Sequence, residues 1–139
     1  MKKFLMTLVL SMCLFLNHVL AADAVSVLNS AQLTPVLTGY EPCDRIVMYY
    51  LNRITKPEMS TYAKVQACYD WLIVHCSYGD NINRLQYVDE AYGPGRAAGI
   101  LEGHIGACDD YSCAFAAMTR AIGLNCYTVY GQTSRADGG

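Results

Sequence analysis

Cys108 occupies a position at which a thiol could act as a nucleophile. It follows a turn that contains Gly103 and Gly106, and it opens the segment CDDYSCAFAAMTRAI, whose spacing predicts an amphipathic helix that ends at Gly123. A helix N-terminus stabilises a thiolate through its unpaired backbone N–H groups and its dipole. The glycines would let a substrate carbonyl approach, and backbone N–H groups could hold a developing oxyanion. The sequence therefore predicts Cys108 as a catalytic residue.

The polar and aromatic neighbours of this thiol have simpler interpretations. Asp109 and Asp110 disfavour a thiolate, so an imidazole partner would have to outweigh them. At the first turn of a helix they are interpreted as dipole-stabilising carboxylates and not as metal ligands, and no metal or cofactor is predicted. His104 is expected to be a solvent-facing loop residue, because general bases normally come from elsewhere in a fold. Tyr78 and Tyr111 are candidate walls of a cleft.

The first 21 residues have the layout of a secretory signal peptide. Two lysines precede the uncharged run Phe4–Leu16, and small residues follow, with cleavage predicted after Ala21. This run of 13 residues is shorter than the stretch of about 18 that spans a bilayer. We therefore expect a secreted or cell-surface protein, of bacterial type, without a permanent membrane anchor. A lipoprotein processed at Cys13 is the alternative, and the bulky Met12 before it disfavours that interpretation.

Charge and cysteine content narrow the class of protein further. Without the signal segment the chain has 118 residues, 8 basic and 12 acidic side chains, which excludes the basic surface that nucleic acids require. This length suits one domain or part of one. The remaining cysteines match neither a disulfide framework nor a paired zinc motif, and most are predicted to be small core residues. They are Cys43, Cys68, Cys76, Cys108, Cys113 and Cys126.

Two further helices are predicted in the N-terminal half of the chain. The first begins at Pro42, after a segment over residues 23–41 that could be an extended arm, and it ends before TKPEMS. The second begins after the N-cap Ser60 and stops before Gly79, with His75 placed to favour the dipole at its end. Trp71 is expected to lie in the core. The apolar stripe of the second helix is predicted to comprise Val65, Tyr69, Leu72, Ile73 and Cys76.

The segments on either side of the Cys108 helix predict less regular structure. Residues 81–103 predict a loop with at most a short helix near Ala97–Leu101, because glycines and Pro94 interrupt the pattern. After the helix, residues 125–130 alternate and are rich in aromatic and β-branched side chains. This composition predicts a strand.

Several motifs around the thiol occur in a fixed order. They are GACDDY at Gly106–Tyr111, an alanine-rich helix, the IGL sequence that ends it, and the strand that ends in Gly131. Upstream lies AKVQACYDWLIVHCSY, a helix that ends in tyrosine. Together they resemble the nucleophile region of the transglutaminase-like superfamily, in which a G-x-C-x-x-[YF] turn starts the central helix and a strand ending in glycine follows it. The resemblance covers Ser60–Gly131.

The resemblance implies an α+β, papain-like fold in which N-terminal helices are followed by the start of an antiparallel sheet. It also implies a Cys-His-Asp triad, in which Cys108 matches the nucleophile. The histidine and aspartate of that family lie on later strands. The expected organisation is therefore a signal peptide at 1–21, an N-terminal arm and first helix at 22–59, and the N-terminal part of the catalytic domain at 60–139. A chain truncated at Gly139 is expected to be inactive by itself.

The resemblance also implies the chemistry. The cysteine forms a thioester with an acyl donor, and water or an amine then accepts the acyl group. Protein, peptide or cell-wall peptide substrates are expected, with hydrolysis favoured over cross-linking. The alternative is a non-catalytic extracellular binding module that retains the fold, in which Cys108 is merely packed. A histidine shortly after Gly139, followed by an aspartate on the next strand, would separate the two.

Overall fold

The computed structural model describes residues 23–80 and 92–129. The chain divides into two compact units, Met1–Ala31 and Gln32–Gly139. The predicted signal peptide at 1–21 lies outside the described residues. Within the described ranges, every helix is too short or too polar to cross a bilayer.

The segment predicted as a possible extended arm contains a helix. Helix α1 (Ala24–Ser30) begins after Asp23, whose carboxylate accepts hydrogen bonds from the backbone N–H groups of Val25 at 2.6 Å and Ser26 at 3.2 Å. An aspartate N-cap of this kind satisfies donors that lack an intrahelical acceptor. In the second unit, residues 32–38 have no regular secondary structure.

Helix α2 (Glu41–Ile54) confirms the helix predicted to begin near Pro42. The proline lies in the first turn, where its missing N–H group is not needed. Asp44 fixes the approach to the helix, because its carboxylate accepts hydrogen bonds from the backbone N–H groups of Thr38 at 2.8 Å and Gly39 at 3.0 Å. The side chains of α2 that are buried recur every four residues and are Cys43, Val47 and Leu51.

Helix α3 (Thr61–His75) confirms the predicted N-cap, since the Ser60 hydroxyl accepts a hydrogen bond from the backbone N–H of Ala63 at 3.2 Å. The predicted apolar stripe is wrong for Tyr69 and Ile73, which are 53% and 56% exposed. This helix has apolar side chains of its own on all its faces, so the spacing of apolar residues does not identify the buried face. The buried residues of α3 are Cys68, Trp71 and Leu72, which confirms the core position predicted for Trp71.

The predicted loop over 81–103 is wrong for its second half, which forms helix α4 (Tyr92–Gly103). Pro94 lies in the first turn, so it does not interrupt the helix. The remaining part of the predicted loop, 81–91, lies outside the described residues. Helix α4 is held by tertiary packing, because four of its side chains are at most 2% exposed, namely Ala97, Ala98, Ile100 and Leu101.

The sheet of the described region is parallel, which corrects the prediction of an antiparallel one. Strand β1 (Ser77–Tyr78) pairs with strand β2 (Ile105–Gly106) in parallel. The backbone N–H of Ser77 donates to the carbonyl of His104 at 2.9 Å, and that of Gly79 donates to Gly106 at 3.0 Å. A parallel pair needs a connection of about a dozen residues or more, and the segment between the strands, which includes α4, is long enough.

The strand predicted over 125–130 is also wrong within the described residues. Residues 124–129 have no regular secondary structure, and Tyr130 lies outside the described range. A strand is defined by hydrogen bonds to a neighbouring strand, which a local pattern of side chains does not supply. The described sheet consists of β1 and β2 alone.

Helix α5 (Cys108–Ile122) is the central element and confirms the predicted bounds. It packs against α2, α3 and α4, and its small side chains permit close approach. It ends at Gly123, whose φ of 119° suits glycine. Residues 32–38 lie against this end of the helix, because the backbone N–H of Thr34 donates to the carbonyl of Gly123 at 2.9 Å and that of Val36 donates to the carbonyl of Arg120 at 3.0 Å.

The core position predicted for most of the thiols is confirmed, because four of the six described cysteines are buried. They are Cys43, Cys68, Cys76 and Cys113. Burial raises the pKa of Cys43 and Cys68 to about 12 and that of Cys76 to about 11. These thiols are therefore neutral in the folded protein at pH values at which an unfolded thiol, with a pKa near 9, already ionises.

This difference predicts a loss of stability at alkaline pH. Above pH 9 the unfolded chain binds fewer protons than the folded one, so the free energy of unfolding falls as pH rises toward 11 or 12. Each of the three thiols should contribute a loss of about 1.4 kcal/mol per pH unit. Urea unfolding under reducing conditions, followed by Trp71 fluorescence at about pH 7 and about pH 10, measures the effect. Cys68→Ala should reduce the pH-dependent part by about one third, and equal stability of the unsubstituted protein at both pH values would contradict the prediction.

Candidate active site

Cys108 is the first residue of α5 and is exposed to solvent. The N-cap Ala107 has extended backbone angles, φ −91° and ψ −179°, so the chain turns sharply into the helix at the thiol. The first N–H groups of an α-helix have no acceptor within the helix and carry its positive partial charge. Cys108 thus combines two properties that reactive thiols require, which are access to solvent and a position at the positive end of a helix.

The turn before Cys108 requires glycine at Gly106 for a reason that sequence reasoning missed. A Cβ atom at this position would lie 2.7 Å from the side chain of Ile100 and 2.8 Å from that of Asp110. Such distances are far inside van der Waals contact, so Gly106 lies this close to Ile100 of α4 and Asp110 of α5 only because it has no side chain. The positive backbone angle of the turn belongs to His104 instead, with φ 57°.

Asp110 caps the helix that carries Cys108. Its side chain is fully buried, and its Oδ2 atom accepts a hydrogen bond from the backbone N–H of Ala107 at 2.9 Å. Alanine offers no side-chain acceptor at the N-cap, so this bond from the third helical residue holds the turn. The Oδ1 atom of Asp110 lies 3.1 Å from Nη1 of Arg96. The prediction that this carboxylate stabilises the first turn is therefore confirmed.

Arg96 on α4 also forms a salt bridge with Asp109, so one guanidinium contacts both carboxylates beside the thiol. Asp109 in turn accepts a hydrogen bond from the backbone N–H of Asp110 at 3.1 Å. Sequence reasoning missed Arg96, because it lies in the segment predicted as a loop. The signal that could have found it is the pair of adjacent carboxylates, which need a cation when one of them is buried.

Within residues 23–80 and 92–129, no group of three or more histidine, cysteine or acidic side chains is arranged to hold a metal ion. The contacts of Asp109 and Asp110 with Arg96 are those of ion pairs.

Two histidines, His75 and His104, contact Trp71. His104 is exposed, as expected, and its Nε2 atom lies 3.0 Å from the hydroxyl of Tyr50, while its ring meets Trp71 edge-on. His75 is the last residue of α3, stacks on Trp71 with ring centroids 5.0 Å apart, and places Nδ1 2.9 Å from the Trp71 carbonyl. Both imidazoles are therefore positioned by aromatic neighbours.

The two tyrosines that were candidate walls of a cleft differ in their exposure to solvent. Tyr78 is 74% exposed, whereas Tyr111 is partly buried and packs against the core. Neither lines the cleft between α2 and α4, which has a volume of about 400 Å³. Its lining residues are Pro42, Arg45, Ile46, Tyr49, Tyr50, Ala98 and Glu102.

Comparison with known families identifies the domain. Residues 49–138 match the family model of the transglutaminase-like superfamily, which is well over half of the 139 residues of the chain. Comparisons with curated proteins and with solved structures gave no significant match. The matched range contains α3, α4, the parallel strands and the whole of α5 with Cys108. The chain therefore belongs to the transglutaminase-like superfamily.

Proposed function

We propose that this chain is part of a secreted cysteine enzyme that acts on amide or peptide bonds, with Cys108 as its nucleophile. The observation that carries the proposal is the exposure of Cys108 at the start of the central helix, in a chain where four other thiols are buried. Membership of the superfamily supports a cysteine-based enzyme fold. The predicted signal peptide at 1–21 supports secretion.

The proposed reaction has two stages. In the first, the sulfur of Cys108 attacks the carbonyl carbon of the substrate, and the resulting oxyanion accepts hydrogen bonds from backbone N–H groups at the start of α5. The C–N bond then breaks, the amine leaves with a proton from the histidine that the family pattern implies, and a thioester remains. In the second stage water attacks the thioester, the C–S bond breaks, and an acid and the free thiol are formed. An amine in place of water gives a new amide bond.

The proposed substrates are proteins, peptides or cell-wall peptides outside the cell or at its surface, and hydrolysis is favoured over cross-linking. The acidic balance of the chain without its signal segment makes nucleic acid an unsuitable partner. The alternative is a non-catalytic extracellular binding module, in which Cys108 has no chemical role. The exposure of this thiol at a helix N-terminus favours the enzyme.

Selective alkylation tests the reactivity on which the proposal depends. Iodoacetamide at about pH 6 should modify Cys108 in the full-length protein at least about tenfold faster than Cys126. Cys126 is a matched comparison, because it is half-buried and lies in a segment without regular structure. Tandem mass spectrometry of proteolytic peptides measures the two rates separately.

Denatured protein provides the control for this experiment. Once the fold is lost, Cys108 and Cys126 should react at similar rates, because both thiols then have the ordinary properties of an unfolded chain. If Cys108 reacts no faster than Cys126 in the native protein, the proposed activation of the thiol is wrong. The binding module then becomes the better interpretation.

A further inference from the structure

A charge problem exists at the proposed nucleophile. Asp109 and Asp110 directly follow Cys108 in the sequence. A negative charge near a thiol disfavours the thiolate, which is the form that attacks a substrate. Asp110 is held close to the thiol because its carboxylate accepts the hydrogen bond from the N–H of Ala107 that caps α5. The first turn of α5 therefore carries two carboxylates within two positions of a sulfur whose ionisation a negative charge opposes.

Arg96 meets both carboxylates from the neighbouring helix. Its Nη1 atom lies 3.1 Å from Oδ1 of Asp110 and forms a salt bridge with Oδ2 of Asp109. The side chains of Arg96, Asp109 and Asp110 are only 18%, 24% and 0% exposed. Charges that are so shielded from water interact more strongly than a surface pair, because less solvent screens them.

The same contacts connect α4 mechanically to the turn that carries the thiol. Asp110 uses one oxygen for Arg96 and the other for the N–H of Ala107. Its Cβ atom also lies against Gly106, where no side chain would fit. Arg96 therefore fixes the position of Asp110, and Asp110 in turn contacts both Gly106 and Ala107 of the turn before Cys108.

We infer that Arg96 is a positioning residue for Cys108: it offsets the charge of Asp109 and Asp110 beside the sulfur and fixes the first turn of α5. The catalytic meaning of this inference rests on the proposed function. Its effect on the thiol does not, because it concerns the reactivity of the sulfur toward any electrophile. Arg96 acts through the two carboxylates and not on a substrate.

The pH dependence of alkylation tests the inference. In Arg96→Gln the two carboxylates lose their cation, so the pH of half-maximal iodoacetamide reactivity at Cys108 should rise by about one unit and the rate at about pH 7 should fall about tenfold. Arg45→Gln is the matched control. Arg45 pairs with Glu41 on the exposed face of α2 at 3.3 Å, and its loss should leave the profile of Cys108 unchanged.

Two variants separate charge from packing. Arg96→Lys keeps the cation with a different shape and should return the pH profile to within about 0.3 units of the original. Arg96→Gln combined with Asp109→Asn removes a charge of each sign and should also return most of the shift. If instead all Arg96 variants share one profile and differ only in thermal stability, Arg96 has a purely structural role and the inference is overturned.

Asp109→Asn alone keeps the test decisive if Arg96→Gln does not fold. This variant leaves Arg96 with one carboxylate fewer, so the profile of Cys108 should move to lower pH, and an unchanged profile overturns the inference. Failure of the proposed function would look different, since the unsubstituted protein would then show no amide turnover, or turnover would persist in Cys108→Ala. Alkylation needs no substrate, so its profiles decide the role of Arg96 in either case.

Discussion

Replacement of Cys108 by alanine is expected to abolish amide turnover by the full-length protein, by a factor of about 10⁴ or more. Without the sulfur no thioester can form, and the remaining groups can only bind the substrate. The side chain is exposed, so its removal leaves no cavity and the variant should unfold at the temperature of the original protein. Mass spectrometry of a peptide mixture incubated with each protein measures the products.

Cys126→Ala is the control for this experiment. It removes a half-buried thiol outside the helices, so both stability and turnover should remain near those of the unsubstituted protein. Retained turnover in Cys108→Ala would identify a different nucleophile and remove the basis of the proposed thioester. Loss of turnover in both variants would show that the assay responds to something other than the nucleophile.

The second large effect is expected at Asp110, where the change is in stability. Asp110→Ala removes a fully buried carboxylate, the cap of α5 at Ala107 and one partner of Arg96 in a single step. Loss of one partner of a buried ion pair, together with a helix cap, should lower the free energy of unfolding by about 3 to 5 kcal/mol. Urea unfolding followed by Trp71 fluorescence measures this value.

An exposed carboxylate supplies the comparison. Glu41 also lies in the first turn of a helix and pairs with an arginine, but its side chain is 72% exposed. Glu41→Ala should therefore change the free energy of unfolding by less than about 1 kcal/mol. Similar values for Glu41→Ala and Asp110→Ala would mean that the buried carboxylate contributes no more to the fold than a surface one.

The helices that the sequence predicts well are those whose start or end is marked by a residue in the helix itself or next to it. Pro42 in a first turn, Ser60 as an N-cap and Gly123 in a left-handed conformation each act within a few residues, so α2, α3 and α5 were predicted with nearly the observed bounds. Helix α4 carries the opposite local signals, since it contains glycines and Pro94. It forms because it packs against α5, and the sequence of α4 by itself does not indicate that contact.

The residues of the candidate site likewise fall into those that the local sequence predicts and those that depend on distant contacts. The position of Cys108 can be predicted from the residues next to it, because the sequence indicates both a glycine-containing turn and the start of a helix. Arg96 depends on α4, and it meets Asp110 from 14 positions away in the chain. The direction of the sheet is likewise non-local, because a short strand contains nothing that specifies a parallel or an antiparallel partner. The outward Tyr69 and Ile73 of α3 show that apolar character alone does not locate the core.

The parallel pairing of β1 with β2 also implies an order of events during folding. Ser77 and Ile105 lie 28 positions apart, so their pairing closes a long loop and costs chain entropy before it gains contacts. Helices α3 and α5 can start from local signals on either side of that loop. We therefore expect the thiol of a newly made chain to reach a helix end early, and the turn that shapes its surroundings to be completed only when the two strands meet.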